Sequence, residues 1–271
     1  MGVRLVLSLL VLPLLLAGCG DDGSSVAHEP TGSLAPLSTR SLECDNRPYR
    51  TDGADYDDGL NEVQDDPMGA LDNWLDAEGW ASQLPSDGYV VEWERDGQAL
   101  LSWDVAGRTR IAVVAADDVT DYNGDTGWGV QTWAECNPAE LPAETTDQLG
   151  IGIWEDSSGG RVSTTRVVSF QGAEHCDWQD TTWLRLGDAG DADRRYDEYL
   201  SNDDDGELAD YLTTTAHDAA ALPNDATDTG WQRDGRELWL GDDPRAAYLV
   251  SVNDPGDVEL WPAAKKPIGC A

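Results

Sequence analysis

Two stretches of this chain repeat one another. Residues 84–97 read LPSDGYVVEWERDG and residues 222–235 read LPNDATDTGWQRDG, with Leu-Pro, an aspartate, a tryptophan and a closing Arg-Asp-Gly at the same spacing. Self-similarity at a fixed offset marks one structural unit built twice, and it restricts the fold more than any composition does. The Asp-Gly that ends each copy is a strong short-range hairpin signal, because a type I′ turn needs positive φ at both central residues.

The flanks give the unit its content. Ahead of the first copy, Asp66-Pro67 reads as an N-cap followed by proline at the first helical position. Met68, Leu71, Trp74 and Leu75 then recur at helical spacing, which predicts a helix over 67–78. From Tyr89 the period falls to two. Strands are expected up to Trp93 and over 98–105, 109–115 and 128–134, with a second tight turn at Ala106-Gly107. The second copy predicts the same plan. A helix over 206–217 carries Leu208, Tyr211, Leu212 and Thr215 on one face, capped by Asn202 or Asp205. Strands follow over 236–241, 246–252 and 258–261. Between the copies, 150–154 and 162–170 read as a hairpin around SSGG, and 180–187 as a further strand. The expected fold is α+β: two tandem homologous units, each a helix packed on an antiparallel β-meander, at 43–145 and, with the linking hairpin, 146–271.

The N-terminus gives the address. One cation, Arg4, precedes an apolar run from Leu5 to Leu16. That run is too short for the roughly 20 residues of a membrane-spanning helix, but it suits a signal peptide over 1–18. Leu16-Ala17-Gly18-Cys19 resembles the lipobox of bacterial lipoproteins. The resemblance implies acylation of the Cys19 thiol, cleavage before it, and a chain held on the extracytoplasmic face of the cell membrane. Residues 19–42, rich in Gly, Ser and Pro, read as a flexible tether and include His28.

Charge excludes one class of partner. The chain has 53 acidic residues against 17 lysines and arginines, for a formal net charge of −36. Nucleic-acid binding needs a basic footprint, and none is present. The membrane contact falls to the acyl anchor, and the expected partners are an envelope protein or a wall polysaccharide. Cys44, Cys136, Cys176 and Cys270 remain once Cys19 is assigned to lipid, an even number that reads as two disulfides in an exported protein. Equivalent positions in a duplication pair equivalently, which predicts Cys44–Cys136 and Cys176–Cys270.

Residues 175–186, 228–241, 258–270 and 127–141 (GWGVQTWAECNPAEL) resemble uncharacterised exported proteins of high-GC Gram-positive bacteria. The resemblance implies an envelope location and brings no activity with it. The sequence has no G-x-S-x-G elbow, H-E-x-x-H, P-loop or C-x-x-C. His175 and His217 are the two histidines of the folded part, and a structural or solvated role is expected of each. No catalytic residue and no cofactor is assigned. Asp121, Asn123 and Asp125 alternate in one turn and are calcium candidates, as are Asp203 to Asp205. Both stretches lack the glycine and glutamate positions of an EF-hand loop, and the competing reading is Asp/Asn turn chemistry. Trp133 and Trp261, near the ends of the two units, are candidates for an exposed binding surface. The sequence therefore reads as a non-catalytic envelope binding module, against a hydrolase using two carboxylates on wall polymers, or a structural spacer.

Overall fold

The computed structural model describes residues 35–56, 59–77, 83–172, 176, 178–187, 196–201, 208–266 and 268. The lipobox with Cys19, His28, His175, Asp203 to Asp205 and Cys270 lie outside the described residues.

The first sheet is a meander with one strand added. β2 (Val90–Arg95), β3 (Gln98–Val105), β4 (Arg108–Thr120) and β5 (Thr126–Glu135) run antiparallel in sequence order, and β1 (Arg50–Gly53) pairs with the outer side of β5. The tight turns are where the sequence places them. Asp96 and Gly97 have φ of 52° and 73°, and Ala106 and Gly107 of 52° and 76°. This is the mirror-image turn that matches strand twist. Helix α2 (Pro67–Ala77) forms because the Asp66 carboxylate accepts the N–H groups of Met68 and Gly69 at 3.0 Å. It lays Ala70, Leu71 and Trp74 on one face of the sheet, against Leu101, Ile111, Val113, Val130 and Trp133. The opposite face is covered by α1 (Leu37–Ser41). Leu37 and Leu42 pack there with Trp93 on Leu100, Ala112 and Val114, and the buried Ser38 hydroxyl donates to Thr132. The expected tether thus gives way to packed structure by Leu37.

The third sheet repeats the meander. β11 (Thr227–Arg233), β12 (Arg236–Leu240), β13 (Ala246–Ser251) and β14 (Val258–Pro262) are again sequential and antiparallel, with Asp234 and Gly235 at φ of 51° and 77°. Its added strand, β7 (Glu155–Asp156), pairs with β11, the first strand of the meander rather than the last. A second sheet lies between the two meanders in sequence, in the order β10 (Tyr196–Leu200), β9 (Thr182–Gly187), β8 (Val167–Gln171), β6 (Ile151–Gly152). It faces the third sheet across a shared core of Trp154, Val167, Leu184, Tyr199, Leu238, Leu249 and Trp261. On its other side, Trp183 and Leu200 pack with Leu208 and Leu212, and Phe170 stacks on Trp183 at 6.2 Å.

The expected α+β pair of helix-on-meander units is therefore corrected. The fold is mostly antiparallel sheet, in three sheets, and among the described residues of 206–217 the helix of the first unit is not repeated. Where a helix over 206–217 was expected, the described part has a 3₁₀ turn at Ala209–Tyr211 followed by extended chain. Leu212 and His217 bridge to Ala264 and Leu260 at the edge of β14. Thr213, Thr214 and Thr215 account for the difference. Three successive β-branched residues lose rotamer freedom in a helix and fit extended chain beside a strand. The sandwich partner supplies the cover that the missing helix would have given. The described residues from Ala35 onward form one compact unit.

Candidate functional site

The first and second sheets meet at a polar hinge that creates a cleft. The Asn137 side-chain amide donates to the hydroxyls of Ser163 and Thr164 at 3.0 Å, and its oxygen accepts the N–H of Thr164 at 3.1 Å. Beside this contact lies a cavity of about 190 Å³. Arg50 and Glu135 line it from the first sheet with Gln83 from the segment ahead of β2, and Phe170 and Arg185 from the second with Thr164 from the turn ahead of β8.

Glu135 is the unusual member. It is the last residue of β5, paired across the backbone with Arg50 of β1 and Ile111 of β4. Strand alternation puts it on the same face as Trp133, so its carboxyl points into the core side of the sheet and is 2% exposed. Burial raises its pKa from an ordinary 4.5 to about 7, although Arg50 pulls the other way. Burial wins because the ion pair is a single Nε–carboxylate contact of 3.5 Å from an arginine side chain that is itself 32% exposed. The neighbouring Tyr89 hydroxyl is buried and makes no hydrogen bond among the described residues. Its pKa is driven up by desolvation first and by the Glu135 charge second.

The two arginines are held in different ways. Arg50 directs both terminal nitrogens at the Gln83 side-chain oxygen, at 3.5 and 3.4 Å. Arg185 donates from Nε and Nη2 to one oxygen of Glu198, at 2.9 and 2.6 Å, and lies over the rings of Phe170 and Tyr196. A guanidinium fixed this way is pre-organised for a planar anion, because little rotamer freedom remains to be lost on binding. Glu135 is the one carboxyl lining the cavity. Arg185 is met by Glu198 outside the cavity and Arg50 by Glu135 within it, so the cavity presents two held guanidinium groups and one readily protonated acid.

Comparison with known families, curated proteins and solved structures finds no match to this chain. The reading of the site rests on its own geometry.

The residues singled out by sequence fall elsewhere. Trp133 and Trp261 are 1% and 7% exposed, so neither forms a binding surface. Each alternates inward on its strand and fills a core, where a large ring gains most from burial. Asp121 closes a turn: one oxygen accepts the N–H groups of Asn123 and Asp125 at 2.9 and 3.1 Å. Among the described residues, neither Asp121 nor Asp125 belongs to a cluster of three His, Cys, Asp or Glu side chains placed to hold a metal. Cys44 and Cys136 form the expected disulfide. Glu140 lies near its sulfurs, but disulfide sulfurs have no thiolate to offer a metal. Glu140 instead pairs with Arg110, both 7% exposed, and accepts the N–H of Asp45, so the cluster seals the bridge. Cys176 is disulfide-bonded, and its expected partner Cys270 lies outside the described residues.

The arginine shared by both repeat stretches also has a structural account. Arg95 stacks on Trp93 at 4.6 Å. Arg233 pairs with Asp234 and lies against the backbone of Gly152, where any side chain would collide with it. Sequence reasoning missed Glu135 because it is one acid among 53. The signal was present in its placement: two residues after Trp133, on the buried phase of a strand.

Proposed function

We propose that this protein is a non-catalytic binding module of the bacterial cell envelope. Acyl chains on Cys19 hold it at the outer face of the cytoplasmic membrane, and the cleft between its first and second sheets takes a small carboxylate-bearing ligand. The observation that carries this reading is the lining of that cleft. Arg50 and Arg185 converge with the amide of Gln83 and the hydroxyl of Thr164 around one carboxyl, Glu135. Hydrolysis of a glycosidic bond by the two-carboxylate route needs a second acid roughly 5 to 10 Å from the first. The lining supplies none. A single acid among fixed cations holds a ligand better than it cleaves one.

Equilibrium dialysis with soluble peptidoglycan fragments bearing free carboxylates tests the idea. Binding should be saturable, fall with added salt, and weaken about tenfold or more in Arg50→Gln and Arg185→Gln. Wild-type and variant chains binding alike would refute the site. Glu135 also motivates the competing hydrolase reading. Release of new reducing ends from the same fragments, lost in Glu135→Gln, would replace the binding module by an enzyme. A spacer would give neither signal.

A further inference from the structure

A second cleft stands apart from the Glu135 site, at the open end of the sandwich between the second and third sheets. It encloses about 420 Å³, within the range of pockets that hold small molecules. Leu186 and Tyr199 of the second sheet and Trp231 and Leu240 of the third form its apolar walls. All four continue the shared core outward, so the cleft is a place where that core is left unfilled.

Two charges are set into this apolar frame, Arg166 and Asp197. Arg166 immediately precedes β8. Its backbone is fixed at both ends, its N–H donating to Ser163 and its carbonyl accepting from Gly187. Its guanidinium lies over the Trp231 ring at 5.1 Å. Seven arginines of the described residues hold a carboxylate within 4.0 Å. Arg166 is not one of them, and Asp197, lining the same cleft, does not reach it. Arg40, Arg47, Arg95 and Arg161 likewise have no carboxylate that close among the described residues; what marks Arg166 is the Trp231 ring that orients it at the cleft. Tyr199 adds a hydroxyl that hydrogen-bonds to nothing among the described residues. Burial, and then the Asp197 charge, raise its pKa to about 12, which keeps it a neutral donor.

The ligand class follows from what would satisfy all of these groups together. A lipid tail would match the walls and leave both charges unmet. A simple anion would suit Arg166 and be repelled by Asp197. A neutral sugar ring could lie on the indole and would leave both charges unmet. A molecule with a carboxylate, an ammonium and an apolar body meets every group at once. We infer that this cleft binds an apolar α-amino acid in its free form, with the carboxylate on Arg166, the ammonium on Asp197 and the side chain against Trp231, Leu240 and Leu186.

Calorimetric titration of the full chain, solubilised in mild detergent, tests the assignment with three probes: L-phenylalanine, its N-acetyl derivative and its amide. L-Phenylalanine should bind saturably, and each blocked form should bind at least about tenfold more weakly, one lost charge-assisted contact apiece. Arg166→Gln should weaken the free amino acid and leave the amide unaffected. Asp197→Asn should do the same with respect to the N-acetyl form. Both residues are exposed, so the variants should keep the wild-type circular dichroism. Absence of binding, equal binding of the three probes, or insensitivity to Arg166→Gln would overturn the proposal. The Arg50→Gln variant should keep the part of L-phenylalanine binding that Arg166→Gln removes, which separates this cleft from the Glu135 site.

Discussion

Replacing Glu135 by glutamine should make the protein more stable, and increasingly so as the pH rises. In the folded chain this carboxyl titrates near 7, and in an unfolded chain near 4.5. Between those values the folded state binds more protons than the unfolded one, so stability falls with rising pH. The contribution of Glu135 is fully present below pH 4.5 and is lost by the time the pH has passed 7. One pKa unit corresponds to about 1.4 kcal/mol, so the whole window amounts to about 3 kcal/mol. Glutamine has nearly the same shape and carries no charge at any pH, so it escapes this loss. Urea unfolding of wild type and Glu135→Gln at intervals from pH 4 to pH 9 measures the difference directly, and subtracting one from the other removes the many other acids of the chain. The gap should be small at pH 4, open between pH 5 and pH 7, and level off above pH 8 with the variant the more stable. A gap that does not change with pH would show that the carboxyl titrates alike in the folded and unfolded chains, with Arg50 compensating its burial. A variant that loses stability with rising pH would mean that the ion pair outweighs desolvation.

Three further outcomes follow from other parts of the chain. Removing the Cys44–Cys136 bridge with paired alanines opens a loop of sequence separation 92; the loss of stability, read by thermal unfolding, should approach about 4–5 kcal/mol as an upper value on chain-entropy grounds. Tyr56→Phe should cost about 1–3 kcal/mol in urea unfolding, because the Tyr56 hydroxyl accepts the buried Val130 N–H at 2.6 Å and no ladder partner replaces it. Radiolabelled palmitate should enter the wild-type chain and fail to enter Cys19→Ala; label in neither would remove the proposed anchor.

The parts of the fold that were legible in sequence are those with a local cause. Asp96-Gly97 and Asp234-Gly235 announce their hairpins because few residues accept the backbone those turns require. Asp66-Pro67 announces α2 because a carboxylate before a proline satisfies the free N–H groups of a first turn. The helix expected over 206–217 failed for the complementary reason. The periodicity of Leu208, Tyr211 and Leu212 was real, but it served packing against the second sheet, and the Thr213 to Thr215 run decided the backbone. No local pattern announces that two sheets will share a core, since Leu184 and Leu249 are 65 residues apart and read as ordinary strand residues. The tryptophans misled in the same way: a large ring near the end of a unit is compatible with a surface or a core, and strand phase, together with what lies opposite, chooses. Glu135 and the Arg166–Asp197 cleft depend on such non-local meetings, so their residue types were visible in the sequence and their company was not.

The two meanders differ in where their fifth strand was added, and this decides which edges stay open. In the third sheet β7 covers the first strand, while the chain from Leu212 to His217 bridges along the last. In the first sheet β1 covers the last strand, and β2 is left as an edge with Val90 and Val91 half exposed. A bare hydrophobic edge is a template on which another copy can add. Here β2 is bulged between Val91 and Trp93 and carries Glu92 and Glu94. Two such edges brought together antiparallel would set carboxylates against carboxylates along an interrupted ladder. The protein thus carries two meanders without twice the tendency to aggregate: one hides its edges beneath its own chain, and the other leaves one in the open and makes it repel its like.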